Sequence, residues 1–140
     1  MADPNQQYAY FTIFGGFNPA EITARVGVAP TECRRQGDPH PRTQQPNKFS
    51  RWSLYSRLGR DWELGAHVRD VLAQLDGNRA GFQHVSREYG GCMQLVGYFY
   101  GGYPGLGLDR DVVEQLATYA LSVDFDFYGL EPEDDPDVAP

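Results

Sequence analysis

Two stretches of the chain, FTIFGGFNPAEITARVGV (11–28) and VGYFYGGYPGLGLDRDVVEQLATYALSV (96–123), follow one plan: aromatic strand, Gly-Gly, capped helix, extended piece. A strand, helix and strand in succession must lay the helix on one face of a sheet, so this plan restricts the fold more than any other feature. In the first copy Asn18 is an N-cap, Pro19 takes the first helical position and Glu21 follows three residues after the cap. Ile22 and Val26 face inward, and Gly27 supplies the left-handed stop. In the second copy Asp109 caps a helix with Val112, Val113, Leu116 and Ala120 on its apolar side.

Between the copies lie a short extended piece near Thr31–Arg35, a loop PHPRTQQPNK (39–48) with three prolines, and a strand RWSLYS (51–56). Two helices follow. One is capped by Asp61, carries Leu64, Val68, Val71, Leu72 and Leu75 and stops at Gly77, and the other carries Phe82, Val85 and Tyr89. The strands CMQLVGYFY (92–100) and LSVDFDFY (121–128) complete the series. The expected fold is α+β and ferredoxin-like: one mainly antiparallel sheet, helices packed on one face, two βαβ-like units around a helical insert. The 140 residues suit one domain over 8–130, with a long Pro-rich loop at 37–48, a flexible N-terminus at 1–7 and a disordered acidic tail at 131–140.

Strand alternation divides the side chains between two faces. Phe11, Ile13, Trp52, Leu54, Met93, Leu95, Phe99, Phe125 and Phe127 are assigned to the core, and both tryptophans, Trp52 and Trp62, read as core anchors. The opposite face then carries Tyr8, Tyr10, Tyr55, Tyr98, Tyr100 and Tyr128, six of the nine tyrosines, with Thr12, Arg51, Gln94, Asp124 and Asp126. Tyrosine joins a large apolar body to a hydroxyl, which suits a surface that is covered part of the time. The alternative is that cross-strand tyrosine pairs only stabilise the sheet, or that the loop and tail lie over it.

The net charge of −7 conceals an uneven distribution. Residues 34–60 hold seven bases, Arg34, Arg35, Arg42, Lys48, Arg51, Arg57 and Arg60, against Asp38 alone, while the tail EPEDDPDVAP holds five acids. Phosphate attraction would be confined to that belt, and Asp124 and Asp126 share the tyrosine face, so charge argues against nucleic acid. GGYPGLGL (101–108) resembles a phosphate-cradling turn, but Asp109 and Asp111 already occupy the positive helix end and its spacing fits no nucleotide signature. Cys33, Asp38 and His40 are too loosely placed for a metal set, and Asp124 with Asp126 read as the wet side of a strand. His67 and His84 fall on separate helices with no nucleophile in a recognisable context. Neither a cofactor nor a metal is expected, and no catalytic set stands out.

The segments FTIFGGFNPAEITARVGVAPTE, RRQGDP, RWSLYS and GYPGLGLDRDVVEQLATYALSVDFDFY together resemble the bacterial domain-of-unknown-function family 4279 over most of residues 8–128. The resemblance implies a small bacterial α+β domain without an established activity, so no catalytic residues carry over. Small domains of this kind are sometimes associated with toxin immunity, by analogy only.

These observations lead to three expectations. The first is a non-enzymatic protein-interaction domain, adaptor or immunity-like, binding through Tyr8, Tyr10, Arg51, Tyr55, Tyr98, Tyr100, Asp124, Asp126 and Tyr128 and the adjacent basic belt. The second is a small-molecule enzyme or sensor that uses Arg51, Asp124, Asp126 and the face tyrosines as a polar cluster. The third is a homodimer packed through the sheet face. No apolar run approaches a membrane span, the N-terminus lacks signal-peptide order and two cysteines are too few for a disulfide framework, so a cytoplasmic location is expected.

Overall fold

The structure, a computed structural model, describes residues 5–130. The elements run β1 (Gln6–Gly15), α1 (Pro19–Val26), β2 (Glu32–Arg34), β3 (Ser50–Tyr55), α2 (Leu64–Leu75), a 3-10 turn (Asp76–Asn78), α3 (Arg79–Tyr89), β4 (Cys92–Tyr100), α4 (Arg110–Thr118) and β5 (Ser122–Leu130). Five strands form one sheet in the order β2-β3-β1-β4-β5. All neighbours are antiparallel except β4 and β5, which are parallel.

This order is ferredoxin-like with one addition. Strands β1 and β2 are both antiparallel to β3, which lies between them, so β1-α1-β2 is a split βαβ unit. Strands β3 and β4 likewise flank β1, and α2 with α3 makes the crossover between them. The helical pair expected as an insert is therefore the second crossover of the ferredoxin-like core. The β4-α4-β5 unit then adds a fifth strand directly beside β4.

The core forms where the alternation places it. Ala9, Phe11 and Ile13 of β1, Trp52 and Leu54 of β3, and Met93, Leu95 and Phe99 of β4 are buried under helix residues such as Ile22, Val68, Val71, Leu72, Phe82 and Val85. Trp52 also donates its indole N–H to Thr23 Oγ1 of α1 at 3.1 Å. Helix α1 begins and ends as its sequence dictates: Asn18 Oδ1 accepts from Ala20 N–H at 3.1 Å, and Gly27 adopts φ 74° at the C-cap. Asn78 joins two helices, because its Oδ1 caps α3 by accepting from Gly81 N–H while its Nδ2 donates to the α1 carbonyls of Val26 at 2.9 Å and Arg25 at 3.2 Å. A Cβ at Gly81 would lie 2.9 Å from the Arg25 carbonyl oxygen, so only glycine permits that approach.

Several expectations are corrected. Phe125 turns to the helix side but remains 51% exposed, because β5 is an edge strand with helices on only one flank, and Phe127 is only partly buried. Trp62 is 54% exposed in the connection ahead of α2, so it is no core anchor. Helix α2 starts two residues beyond the expected point, with Glu63 rather than Asp61 at its N-cap and no side-chain bond there. β1 starts at Gln6, earlier than Tyr8, because Gln6 and Gln7 pair with Tyr98 and Gly97 of β4. The loop at 37–48 folds back on itself through a Pro39–Pro46 bridge, with His40 N–H donating to Gln45 O at 2.8 Å and Asn47 N–H to Asp38 O at 2.8 Å. The expectations for residues 1–4 and for the tail at 131–140 lie outside the described residues. Among the described residues, no helix is long and apolar enough to cross a membrane.

Candidate interaction face

The side of the sheet away from the helices is built by register. Across it run Glu32–Ser53–Thr12–Cys92–Ser122, then Tyr55–Tyr10–Gln94–Asp124, then Tyr8–Val96–Asp126, and finally Gln6–Tyr98–Tyr128, while Tyr100 pairs with Leu130 at the end of β4. All nine expected binding residues, Tyr8, Tyr10, Arg51, Tyr55, Tyr98, Tyr100, Asp124, Asp126 and Tyr128, thus share one face.

The tyrosines on it form two groups. Tyr10 and Tyr55 stack with ring centres 4.4 Å apart, and Tyr8 joins them at 5.8 Å from Tyr55 and 6.2 Å from Tyr10. Tyr98 and Tyr128 stack separately at 4.9 Å. Between the groups β4 presents Gln94 and Val96, and Val96 is buried although no element covers it among the described residues. Its burial shows that the surrounding long side chains roof the strand themselves.

Cations sit over the first group. The Arg51 guanidinium lies 5.3 Å from the Tyr10 ring centre and 5.7 Å from that of Phe14, and Arg60 lies 4.4 Å over Tyr8. Glu32 gathers Arg34 and Arg51, each at 3.6 Å, and accepts from the Tyr55 hydroxyl at 3.3 Å. Burial, followed by the negative charge of Glu32, pushes the Tyr55 hydroxyl up to about 12, so it stays neutral and donating across the physiological range. Burial raises Tyr8 and Tyr10 as well. In the next row of this face Thr12 and Ser53, both buried, share a hydrogen bond of 2.8 Å between their hydroxyls, and Arg51 Nε donates to Ser53 Oγ at 3.0 Å.

Other expected groupings come apart. Arg51 stands on β3 and Asp124 and Asp126 on β5, with β1 and β4 between, a separation of about 14 Å at the usual strand spacing. They therefore form no joint polar cluster. The basic belt is divided too: Arg57 is bound to Asp70 of α2 through its backbone N–H and its guanidinium, both away from the tyrosines. Asp109 and Asp111 hold Arg69 of α2 at 2.9 Å each. The glycine-rich loop passes over the start of α2, enclosing a cavity of about 180 Å³ lined by Asn5, Gln7, Glu63, Leu64, Phe99 and Phe127 as well as by the loop itself. That volume is below the several hundred Å³ usual for ligand pockets. Cys33 pairs with Trp52, on the helix side of an edge strand, and both cysteines are free thiols. Among the described residues no three His, Cys, Asp or Glu side chains gather as a metal set would require.

Sequence reading passed over Glu32, Phe14 and Ser53. Alternation from Arg51 already places Ser53 on this face, and Phe14 follows Thr12 with the same period. Glu32 joins them only through the pairing of β2 with β3, which no local pattern shows.

Among known proteins, no curated protein and no solved structure matches the chain. A family model does match, covering residues 5–130, and by it the chain belongs to the family described as domain of unknown function DUF4279.

Proposed function

We propose that the chain is a non-enzymatic protein-interaction domain, an adaptor or an immunity-like protein, which binds its partner through the tyrosine face and the arginines at its rim. The observation that carries this reading is the pair of tyrosine stacks on a sheet face that no element covers among the described residues. Stacked rings have few rotamers left to lose, so docking onto them costs little side-chain entropy, and each ring offers apolar area with a hydroxyl at its tip. Arg60, held over the Tyr8 ring, stays within reach of a partner's carboxylates, while Arg51 is already paired with Glu32. The separation of Arg51 from Asp124 and Asp126 favours this reading over a small-molecule enzyme on the same face. The same reading takes the setting to be the bacterial cytoplasm, where two free thiols persist.

The test is a gentle affinity purification from the native cell with the intact chain and with the Tyr10→Asp, Tyr98→Asp variant, followed by mass measurement of what elutes. The intact chain should retain a partner that the variant loses, while circular dichroism of the two stays the same. Equal recovery by both would sink the reading. A partner whose mass equals that of the chain would replace it with self-association.

A further inference from the structure

The sheet ends in two unlike edges. At one end β2 is three residues long and is overlaid by the contacts of Glu32 with Arg34 and Arg51. At the other, β5 is nine residues long, and its backbone pairs with β4 on one side only. Among the described residues no backbone hydrogen bond reaches the outer side of residues 123–128. Natural sheets blunt such an edge by shortening, covering, bending or charging it, because its free N–H and C=O groups template a further strand. Among the described residues β5 is neither shortened, covered nor bent, the charges of Asp124 and Asp126 are the protection it carries, and two aromatic rings at the edge, Phe125 on the helix side and Tyr128 on the open side, are 51% and 43% exposed.

The side chains of β5 specify what could pair with it. Asp124 and Asp126 project on the open side, and neither has an ion-pair partner among the described residues. The adjoining positions of β4 on that side are Gln94, Val96 and Tyr98, so no cation faces either carboxylate across the ladder. A second copy fits poorly in the two registers that would set both carboxylate positions near the centre of the pair. Antiparallel pairing of two β5 strands centred on Asp126 sets Asp126 against Asp126, and centring on Phe125 sets Asp124 against Asp126, like charges directly opposite in both cases. Residues 131–140 carry five acids and so have the wrong charge for this edge as well.

We propose that β5 is a docking edge for an extended segment of another protein, one that alternates basic with apolar side chains and adds to the sheet as a sixth strand. Its backbone satisfies the open N–H and C=O groups of β5. Its basic side chains meet Asp124 and Asp126, and its apolar ones cover Phe125. This inference stands apart from the tyrosine-face reading, since it uses the strand's backbone edge and not the stack of Tyr8, Tyr10 and Tyr55.

The test uses the full chain and three synthetic heptapeptides: alternating Lys and Val, alternating Glu and Val, and a Lys/Val peptide of the same composition with its lysines in one block. Binding is read by fluorescence anisotropy, and its position by backbone amide shifts and hydrogen-exchange protection. The alternating Lys/Val peptide should bind and protect amides within residues 122–128. Asp124→Lys with Asp126→Lys should weaken it about tenfold or more and admit the Glu/Val peptide instead. Asp124→Asn with Asp126→Asn should weaken it severalfold with an unchanged thermal transition, which guards against misfolding of the reversed variant. Equal binding of the blocked peptide would reduce the effect to charge alone and overturn the proposal. So would no binding of the alternating peptide, protection confined to other strands, or a concentration-dependent dimer that β5 substitution abolishes. The Tyr10→Asp, Tyr98→Asp variant should still bind the peptide, so failure of the tyrosine-face reading and failure of this one are distinguishable.

Discussion

On the covered side of the sheet, Phe11, Trp52 and Phe82 meet at steep angles of 57° to 85° with ring centres 5.5 to 6.1 Å apart. On the open side, Tyr8, Tyr10 and Tyr55 lie almost parallel, within 14° to 18° of one another. The difference follows from what surrounds each group. A dry core is filled from every direction, so rings interlock edge to face and leave no voids. Rings standing side by side on a sheet have neighbours only along the surface, so they lean together and leave their tips and outer flanks to water. The same residue class thus fills the core on one side and lines the open surface on the other.

The comparison breaks most readily at the core. Trp52→Ala should cost about 3–5 kcal/mol in urea unfolding, because it removes a fully buried ring along with its bond to Thr23. A loss under about 1 kcal/mol would mean that the covered face is not the tightly packed one. Next in size is the polar pair beside the tyrosines. Ser53→Ala leaves the Thr12 hydroxyl buried without its partner and should cost about 1–3 kcal/mol, whereas Ser53→Ala with Thr12→Val should cost less than the two single changes together. Additivity in that cycle would show the hydroxyls to be independent. Tyr55→Ala, at the open surface, should cost only about 0.5–1.5 kcal/mol of stability, measured in the same way. A loss as large as that of Trp52 would make the tyrosine stack part of the core and not a surface.

The smallest effect is a dependence on pH. His67 of α2 is fully buried, its Nδ1 is 2.7 Å from Ser56 Oγ, and its Nε2 has no hydrogen-bond partner. Burial lowers its pKa below the ordinary 6.5, while the Trp62 and Gly59 carbonyls and the charges of Asp70 and Asp61 act in the opposite direction without overcoming it. The unfolded chain therefore binds more protons than the folded one just below the ordinary value. Stability from this site is full above about pH 6.5 and declines as the pH falls towards the lower folded value. The urea midpoint should fall over that window, and His67→Gln should flatten the slope; an unchanged slope would place the proton uptake elsewhere.

Much of the open face was legible from the sequence because a period of two needs no partner to be read. Tyr8 and Tyr10, Tyr98 and Tyr100, and Asp124 and Asp126 sort by parity within their own strands. The caps at Asn18 and Gly27 were legible for the same local reason. What escaped depends on neighbours. Phe125 has the parity of a core residue, but its exposure is decided by β5 lying at an edge, a property of strand order. The distance between Arg51 and Asp124, the double use of Asn78 and the approach of Glu32 to Arg51 are likewise set by pairings between segments far apart in the chain. Trp62 failed for a different reason: its bulk suggested burial, yet it falls in a connection with no regular face to turn inward.

The central place of β1 has a consequence for the making of the protein. This strand pairs with β3 on one side and β4 on the other, so both of its ladders are complete only once Tyr98 has been synthesised. Until then Phe11 and Ile13 remain uncovered by the helices and strands that later enclose them. Such distant pairings slow folding and leave apolar surface open to other chains. A nascent chain of this topology passes through a long interval of stickiness before its core is closed.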